Sequence, residues 1–197
     1  MPAAAMDVVK YSTYGRELLP YDLYYIELLK LVLDKSQDKF GEYLLKGVKV
    51  GKTQANMVTL IKHKKVINIL WTMTSKEREQ DLQPIRIPLF KGLGGCRIFL
   101  IEKDLQAKFS LVKDAEQLKT LYACQGADWP DTEILSANGF NLFKAEVHNS
   151  LYEMLAKGRF DYFPRAIHEA FAEVKFHPKL AVEQKLLISY PAPFFFS

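Results

Sequence analysis

Residues 67–103 read INILWTMTSKEREQDLQPIRIPLFKGLGGCRIFLIEK, and this stretch decides the fold that the sequence predicts. An apolar run over residues 66–71 is typical of a buried strand. Pro84 and Pro88 then rule out a helix and favour an extended segment. After a glycine-rich turn, residues 96–101 form a second apolar run, again typical of a buried strand. The stretch therefore predicts an extended connection between two folded bodies.

The sequence on either side of this stretch alternates between strand and helix patterns. Before it, residues 8–11 predict a strand, and a periodic apolar run predicts a helix with Asp22 as its N-cap. The other segments continue the alternation, with strands at 43–50, 121–125, 142–145, 161–163 and 186–190 and helices at 53–64, 115–121, 131–138, 150–157 and 166–175. This order is that of an α/β protein with helices on the faces of its sheets.

Two consecutive α/β units joined by extended crossings predict a two-lobed body. Lobe one is expected at residues 1–98, lobe two at 99–190, and the start of a return crossing at 191–197. Folds of this kind bind ligands at the carboxyl ends of their strands. We therefore expect a ligand-binding cleft between the lobes.

The composition is that of a globular protein, with 49% hydrophobic and 25% charged residues among 197. The net charge of +4 is spread along the chain, so no nucleic-acid partner is expected. Cys96 and Cys124 allow one disulfide or two free thiols, and free thiols are the favoured interpretation. The N-terminus lacks the apolar core of a secretory signal, and no run is long enough to span a membrane. The chain is therefore either cytoplasmic or periplasmic with its signal peptide removed.

Signals for catalysis are weak throughout the sequence. The histidines have no metal-binding spacing, and the sequence contains no G-x-S-x-G motif and no phosphate-binding loop. We expect no catalytic residue, no metal and no cofactor. The predicted function is ligand binding.

Several motifs resemble those of the family 3 extracellular solute-binding proteins, which belong to the periplasmic binding protein type 2 superfamily. Residues 71–74 with Arg78 are similar to that family's strand, small-residue turn and T-x-x-R motif, and residues 87–89 to its extended segment. Residues 155–161 resemble its L-x-x-G-R-x-D motif, and residues 122–127 its V-x-x-G-T turn. The pair RIPLFKGLGG and GRFDYFPR is similar to a divergent, uncharacterised subgroup. The resemblance implies a two-lobed fold and capture of a solute.

The sequence departs from the family pattern at three points. Thr74 precedes Arg78 by one residue more than in the family, so Thr74 or Ser75 takes the turn position. Ala166 stands where the family places an acidic residue for the ligand's ammonium. The family also continues beyond the second crossing, so the remainder of lobe one is expected to be missing.

Arg78 is the main candidate for binding the ligand. Its guanidinium can hold a carboxylate through two hydrogen bonds, and Thr72, Thr74 and Ser75 can complete an anion cradle. The alternative is a surface arginine paired with Glu77 or Asp81.

Further candidates are Trp71 and Tyr14 as flat walls, Gln125 in the glycine turn, and Arg165. A second cation at Arg165 favours an acidic ligand such as a dicarboxylate or phosphate. The alternative for Arg165 is an i,i+4 salt bridge to Glu169. Aromatic residues in these contexts are more often part of the core.

The expected function is therefore a periplasmic solute-binding module for a small polar, acidic metabolite. The resemblance implies a partner that is an ABC-type transporter permease or a membrane sensor kinase, and we expect a monomer. One alternative is a truncated or degenerate module that contacts a protein. Another is a dehydratase-like enzyme on the same fold, for which Glu77, Glu79 and Asp161 are the nearest acids.

Overall fold

The structure is a computed structural model that describes residues 6–51, 53–63 and 66–197. Its contacts divide the chain into two compact units. Unit 1 comprises the described residues of Met1–Thr72, together with Lys76–Ile87 and Phe195–Ser197, and unit 2 comprises Met73–Ser75 and Pro88–Phe194. The division after Ile87 lies eleven residues before the expected boundary at residue 98, because the strand that follows belongs wholly to unit 2.

Unit 1 begins with a β-α-β crossover. Strand β1 (Asp7–Ser12) and strand β2 (Tyr43–Val48) pair in parallel, from Asp7 opposite Tyr43 to Ser12 opposite Val48. Helix α1 (Pro20–Phe40) connects them, as parallel neighbours require a long crossover. Helix α2 (Gln54–Lys62), strand β3 (Trp71–Met73) and the short helix α3 (Arg78–Asp81) follow.

The start of α1 differs from the prediction that Asp22 is its N-cap. The N-cap is Leu19, and Pro20 takes the first helical position, where its missing N–H is no loss. Asp22 lies one turn inside, is buried, and accepts a hydrogen bond from the Leu19 N–H at 2.7 Å. The same carboxylate lies 2.7 Å from Arg16. Asp22 therefore fixes the helix start from the third helical position.

The predicted strand at residues 66–71 is mostly irregular. Only Trp71 of that run lies in a strand, although Ile67 and Leu70 are buried. Leu70 instead exchanges backbone hydrogen bonds with Ser197, at 2.8 and 2.7 Å. Ser197 directly follows strand β10 (Phe194–Phe196), which pairs with β3. Unit 1 is thus assembled from segments that lie on both sides of unit 2 in the sequence.

Unit 2 is built around strand β4 (Cys96–Glu102). It pairs antiparallel with β7 (Phe163–Ala166), β8 (Leu180–Val182) and β9 (Ile188–Ser189). Strand β5 (Tyr122–Gly126) pairs in parallel with β6 (Asn141–Ala145). A parallel bridge between Ala123 and Tyr162 connects β5 to the residue just before β7.

Helices cover this arrangement of strands. They are α4 (Gln106–Phe109), α5 (Ala115–Lys119), α6 (Pro130–Ala137), α7 (His148–Leu155) and α8 (Ile167–Glu173), with 3₁₀ turns at Leu93–Gly95, Lys103–Leu105 and Val174–Phe176. Leu100 and Phe163 face one apolar cluster, whereas Phe99 and Tyr162 face another, as alternation along strands requires.

The strand predicted at 161–163 begins two residues later, and the strand predicted at 186–190 is reduced to two residues. The strand at Leu180–Val182 was not predicted.

Gly94 and Gly95 lie against the chain at Tyr190–Ala192. A Cβ on Gly94 would lie 3.0 Å from the carbonyl oxygen of Ala192, and a Cβ on Gly95 would overlap the carbonyl oxygen of Tyr190. The Tyr190 N–H also donates to the Gly95 carbonyl at 3.2 Å. These two positions are glycine because the backbones approach too closely for a side chain.

Candidate functional site

Arg78 is the first residue of α3 and is almost fully buried in unit 1. Its Nη1 donates a hydrogen bond to the Thr72 hydroxyl at 2.5 Å, and its Nη2 donates to the side-chain carbonyl of Gln54 at 2.7 Å. Both acceptors are neutral oxygens, and together the two contacts orient the guanidinium. Gln54 is the first residue of α2 and directly follows the N-cap, Thr53. Gln54 was missed in the sequence, since nothing in its spacing relates it to Arg78.

Tyr14 lies in the turn after β1, also in unit 1, with a φ of 55°. A positive φ is uncommon for a residue with a bulky side chain. The Ser12 hydroxyl stabilises the turn, because it accepts from the Tyr14 N–H at 2.9 Å and donates to the Val50 carbonyl at 2.5 Å. The backbone of Asn68 donates to the Lys10 carbonyl at 3.0 Å, so the segment that leads into β3 runs beside β1. Tyr14 and Arg78 therefore follow the carboxyl ends of neighbouring segments.

Trp71 is part of the core. Its ring stacks on Tyr25 at 5.3 Å and lies 5.7 Å from the ring of Tyr11. The side chain is buried, so its structural role is to support the strand that carries Thr72. For Trp71, the alternative that aromatic candidates belong to the core is therefore the one that the structure supports.

The predicted anion cradle is divided between the two units. Thr72 belongs to unit 1 and contacts Arg78, whereas Thr74 and Ser75 belong to unit 2. The Thr74 N–H donates to the carbonyl of Pro193 at 3.0 Å, within unit 2.

Arg165 is buried in unit 2 and bound by two carboxylates. Its Nε and Nη2 donate to the two oxygens of Glu173, at 2.8 and 2.6 Å, and Nη2 lies 3.2 Å from Glu169. The guanidinium also lies 5.0 Å from the ring centres of Trp129 and Phe163. Its charge is thus compensated inside unit 2. The salt bridge to Glu169, given as the alternative for Arg165, is present, and the argument from Arg165 to an acidic ligand loses its basis.

The burial of these groups and their mutual attraction shift the pKa of each partner. Burial lowers the pKa of Arg165, but the carboxylates of Glu169 and Glu173 raise it well above its ordinary value. Burial raises the pKa of Glu173, but the charge and hydrogen bonds of Arg165 lower it, to about 2 overall. Both groups therefore remain ionised at neutral pH.

A second buried arginine continues the network. Nη2 of Arg97 lies 2.7 Å from Asp131, and its Nε donates to the Tyr190 hydroxyl at 3.2 Å, which donates to Asp131 at 2.5 Å. Nη1 of Arg97 also lies 3.7 Å from Glu169, which therefore lies between the two arginines. Beyond the pair of Arg165 and Glu169, this network could not be predicted from spacing, because Arg97, Asp131 and Tyr190 are far apart along the chain.

Gln125 lies near the end of β5 and is almost completely buried. Its Nε2 donates to the Pro164 carbonyl at 3.4 Å, but its Oε1 has no hydrogen-bond partner among the residues that the structure describes. Beside it, the indole of Trp129 lies so close to Gly126 that a Cβ there would overlap the ring. A buried amide oxygen without a donor needs a water molecule or a ligand to satisfy it.

Two of the carboxylates considered for an enzyme are engaged in structural contacts. Asp161 lies 2.6 Å from Lys108 and accepts from the Tyr122 N–H at 2.8 Å, and Glu79 pairs with Arg86. Within the described ranges, no group of three or more His, Cys, Asp or Glu side chains is arranged to hold a metal ion.

Both cysteines are free thiols. Cys124 is buried and Cys96 is half-buried. Burial raises the pKa of Cys124 well above its ordinary value, although the nearby charge of Arg165 lowers it in part.

No family model and no curated protein matches the sequence. Solved structures do match over nearly the whole chain. An ancestral arginine-binding protein bound to arginine is 14% identical, with a TM-score of 0.63, and the match covers 97% of this chain and 82% of that one. The periplasmic VFT2 domain of Bordetella pertussis BvgS is 16% identical, with a TM-score of 0.64, over 96% of this chain and 79% of that one.

A third match comes from the glutathione import system of Streptococcus mutans, which involves GshT and the cystine ABC importer TcyBC. It is 15% identical, with a TM-score of 0.62, and covers 97% of this chain and 81% of that one. Of the helices that the structure describes, none is long and apolar enough to cross a membrane. The predicted fold class is confirmed: the chain has the α/β fold of the two-lobed, type 2 periplasmic binding proteins.

Proposed function

We propose that this chain is a solute-binding module that captures a small polar metabolite through a carboxylate on the ligand. Arg78 is the observation that carries the proposal. It is a permanently charged group, buried in unit 1 and oriented by the neutral oxygens of Thr72 and Gln54. A planar guanidinium held in this way can bind a carboxylate through two parallel hydrogen bonds.

The position of Arg78 within unit 1 supports the same proposal. Ligands of open α/β folds bind at the carboxyl ends of the strands. Arg78 follows β3 and Tyr14 follows β1, where the backbone of Tyr14 takes an uncommon positive φ. Such a conformation is concentrated at binding sites, where the surrounding structure holds it in place. Tyr14 is therefore the proposed flat wall beside Arg78.

The remaining predicted residues take different parts in this proposal. Thr72 positions Arg78, and Trp71 supports the strand from the core. Thr74, Ser75 and Gln125 stay as proposed ligand contacts in unit 2. Arg165 is no longer proposed as an anion site, because two carboxylates already bind it. We therefore propose a ligand with at least one carboxylate and no requirement for a second acidic group.

Structural neighbours support ligands of this type. An ancestral arginine-binding protein is bound to arginine in one solved structure and to glutamine in another, and both ligands carry a carboxylate. Other neighbours are a histidine kinase sensor domain and a protein of the S. mutans import system. A periplasmic location, a transporter permease or sensor kinase as partner, and a monomeric state remain part of the proposal.

Ligand binding through Arg78 is tested by a thermal-shift screen followed by titration calorimetry. The wild-type chain is screened against amino acids, dicarboxylates, sugars, polyamines and phosphorylated metabolites. A ligand at 100 times its Kd adds about 2.7 kcal/mol to the stability and raises the melting temperature by several degrees. We expect hits among carboxylates, and Arg78→Gln should weaken their binding at least about 30-fold, the equivalent of roughly 2 kcal/mol.

Arg86→Gln is the matched control. Arg86 is also in unit 1, but its side chain is 66% exposed and pairs with Glu79 at the surface. Its substitution should leave affinity unchanged. Equal affinity of the wild type and Arg78→Gln would refute the assignment, and a bound compound that is chemically converted would show that the chain is an enzyme.

A further inference from the structure

Five exposed cations of unit 2 form no ion pair with any of the residues that the structure describes. They are Lys103, Lys157, Arg159, Lys175 and Lys179. Lys108 differs from them, because its ammonium lies 2.6 Å from Asp161. The five cations come from three separate segments, so the sequence itself shows no basic cluster. Their charges are open to a partner outside the chain.

The fold brings these three segments to one edge of the sheet of unit 2. Strands β7 and β8 both pair antiparallel with β4, so their first residues lie beside the last residues of β4. At this edge the Lys103 N–H donates to the Lys179 carbonyl at 3.1 Å. Lys157 and Arg159 come just before β7, in a segment that lies beside the start of β5. Strands β8, β4, β7 and β5 are successive neighbours, so their ends span about 14 Å at roughly 4.8 Å per strand.

The 3₁₀ turn that leads into β8 contributes Lys175 and Phe176 to this edge. Directly after the turn, the ring of His177 stacks on Tyr152 of α7, with the ring centres 4.1 Å apart. The turn therefore lies beside the C-terminal half of α7, the helix that Lys157 follows. This contact brings the cations of the two segments to one surface.

Two aromatic rings are exposed at the same edge. Phe176 is 62% exposed, and Tyr122, the first residue of β5, is 57% exposed. Phe176 directly follows Lys175 and lies three residues before Lys179. Together, the five cations and these two rings form the basic edge of unit 2. Lysines beside exposed aromatic rings are typical of surfaces that bind the membrane interface.

Acidic residues offset only part of the positive charge of the basic edge. Glu102 and Asp104 flank Lys103, and Glu153 lies on α7, four residues before Lys157. Five cations against these three carboxylates leave an excess of two positive charges. An exposed row of cations suits an extended anionic surface, whereas a small anion needs donors that converge on it in a pocket.

We propose that the basic edge docks unit 2 on the surface of an anionic lipid bilayer. The cations meet the lipid phosphates, and the rings of Phe176 and Tyr122 lie at the level of the headgroups. Ligands of open α/β folds bind at the carboxyl ends of the strands, whereas the basic edge lies at the amino ends of β5, β7 and β8. Docking therefore leaves the carboxyl edge of unit 2 accessible. It uses residues of unit 2 alone, so it does not depend on the capture of a carboxylate by Arg78 in unit 1.

Co-sedimentation of the full chain with lipid vesicles tests this docking. The wild type should bind vesicles of equimolar phosphatidylglycerol and phosphatidylcholine, but not vesicles of phosphatidylcholine alone. Raising the salt from about 0.1 M to about 1 M should release it, because the Debye length falls from roughly 10 Å to 3 Å. Lys103→Gln/Lys179→Gln should weaken binding about 30-fold, since each cation near an anionic surface contributes a factor of about five. Phe176→Ser should weaken it at least about fivefold through loss of the buried ring.

Lys30→Gln/Lys35→Gln is the matched control. Both lysines are exposed on α1 of unit 1, so this variant loses the same charge from a different surface and should bind as the wild type does. Thermal unfolding checks that each variant remains folded. Absence of binding to the anionic vesicles would overturn the proposal, as would equal binding to both kinds of vesicle or equal affinities of the wild type and Lys103→Gln/Lys179→Gln. Binding to poly-L-glutamate without binding to vesicles would indicate an acidic protein partner instead and would also overturn it.

Discussion

Breaking the buried pair of Arg165 and Glu173 should destabilise unit 2 strongly. The pKa of Glu173 falls from its ordinary 4.5 to about 2, the balance of burial, which raises it, and Arg165, which lowers it. At 1.36 kcal/mol per pKa unit, this shift corresponds to about 3 kcal/mol of stability at neutral pH. Removing one partner of a buried pair typically costs about 3–5 kcal/mol. Because Glu169 stays within 3.2 Å of Arg165, we expect Glu173→Gln to cost about 3 kcal/mol.

Urea and thermal unfolding followed by circular dichroism measure this effect. For a chain of this length, a loss of about 3 kcal/mol lowers the melting temperature by roughly 6–12 °C. The double variant Arg165→Leu/Glu173→Met should recover at least half of the loss, since well-packed apolar residues can replace a buried ion pair. Glu116→Gln is the control, because that carboxylate is 81% exposed and pairs with Lys119 at the surface. Its effect should stay within about 0.5 kcal/mol.

A loss below about 1 kcal/mol in Glu173→Gln, with Glu116→Gln unchanged, would contradict this reasoning. It would mean that Glu173 is not the main counter-charge of Arg165. A double variant less stable than the single one would contradict the idea that the pair can be replaced by packing.

Acid should lower the free energy of unfolding as the pH falls from about 4.5 to 2, because Glu173 takes up a proton in the unfolded chain at a higher pH than in the native one. Urea unfolding should show a smaller pH dependence of that free energy in Glu173→Gln than in the wild type. In native protein at pH 8, a thiol reagent should modify the half-buried Cys96 and spare Cys124, because burial shields the Cys124 thiol and raises its pKa. Peptide mapping that found Cys124 modified first would contradict this prediction. Gly95→Ala should lower the free energy of unfolding by about 1–3 kcal/mol, because the new Cβ would overlap the carbonyl oxygen of Tyr190. An unchanged urea unfolding midpoint would show that the backbone segments at Gly95 and Tyr190 separate easily.

The alternation of strands and helices could be predicted because it depends on local periodicity. The helix at Pro20–Phe40 and the strand at Cys96–Glu102 both have long apolar patterns that allow few alternatives. The same local reasoning wrongly predicted a strand over the whole of residues 66–71. Ile67 and Leu70 are apolar because they are buried, and burial does not require strand pairing. The strand at Leu180–Val182 is too short to have a period of its own.

The candidate site could be predicted only in part. Arg78 was chosen because it follows an apolar strand and is similar to the arginine of the family's T-x-x-R motif, and its role in ligand binding stays a prediction. The main partner of Arg165 is Glu173, eight residues later, and this pair exists because α8 folds back along β7. Spacing rules for a single helix relate Arg165 only to Glu169. Gln54 binds Arg78 from another helix, and only the tertiary fold brings them together.

The backbone bonds between Leu70 and Ser197 have a consequence for vectorial synthesis of the chain. A ribosome completes all of unit 2 before it adds Phe195–Ser197, which belong to unit 1. Unit 2 is contiguous apart from Met73–Ser75, whereas unit 1 needs segments from both sides of unit 2 in the sequence. Unit 1 must wait, without the backbone hydrogen bonds between Leu70 and Ser197, until residues 195–197 have emerged. A nascent chain stalled before residue 195 should therefore expose a partly formed unit 1 to chaperones and proteases.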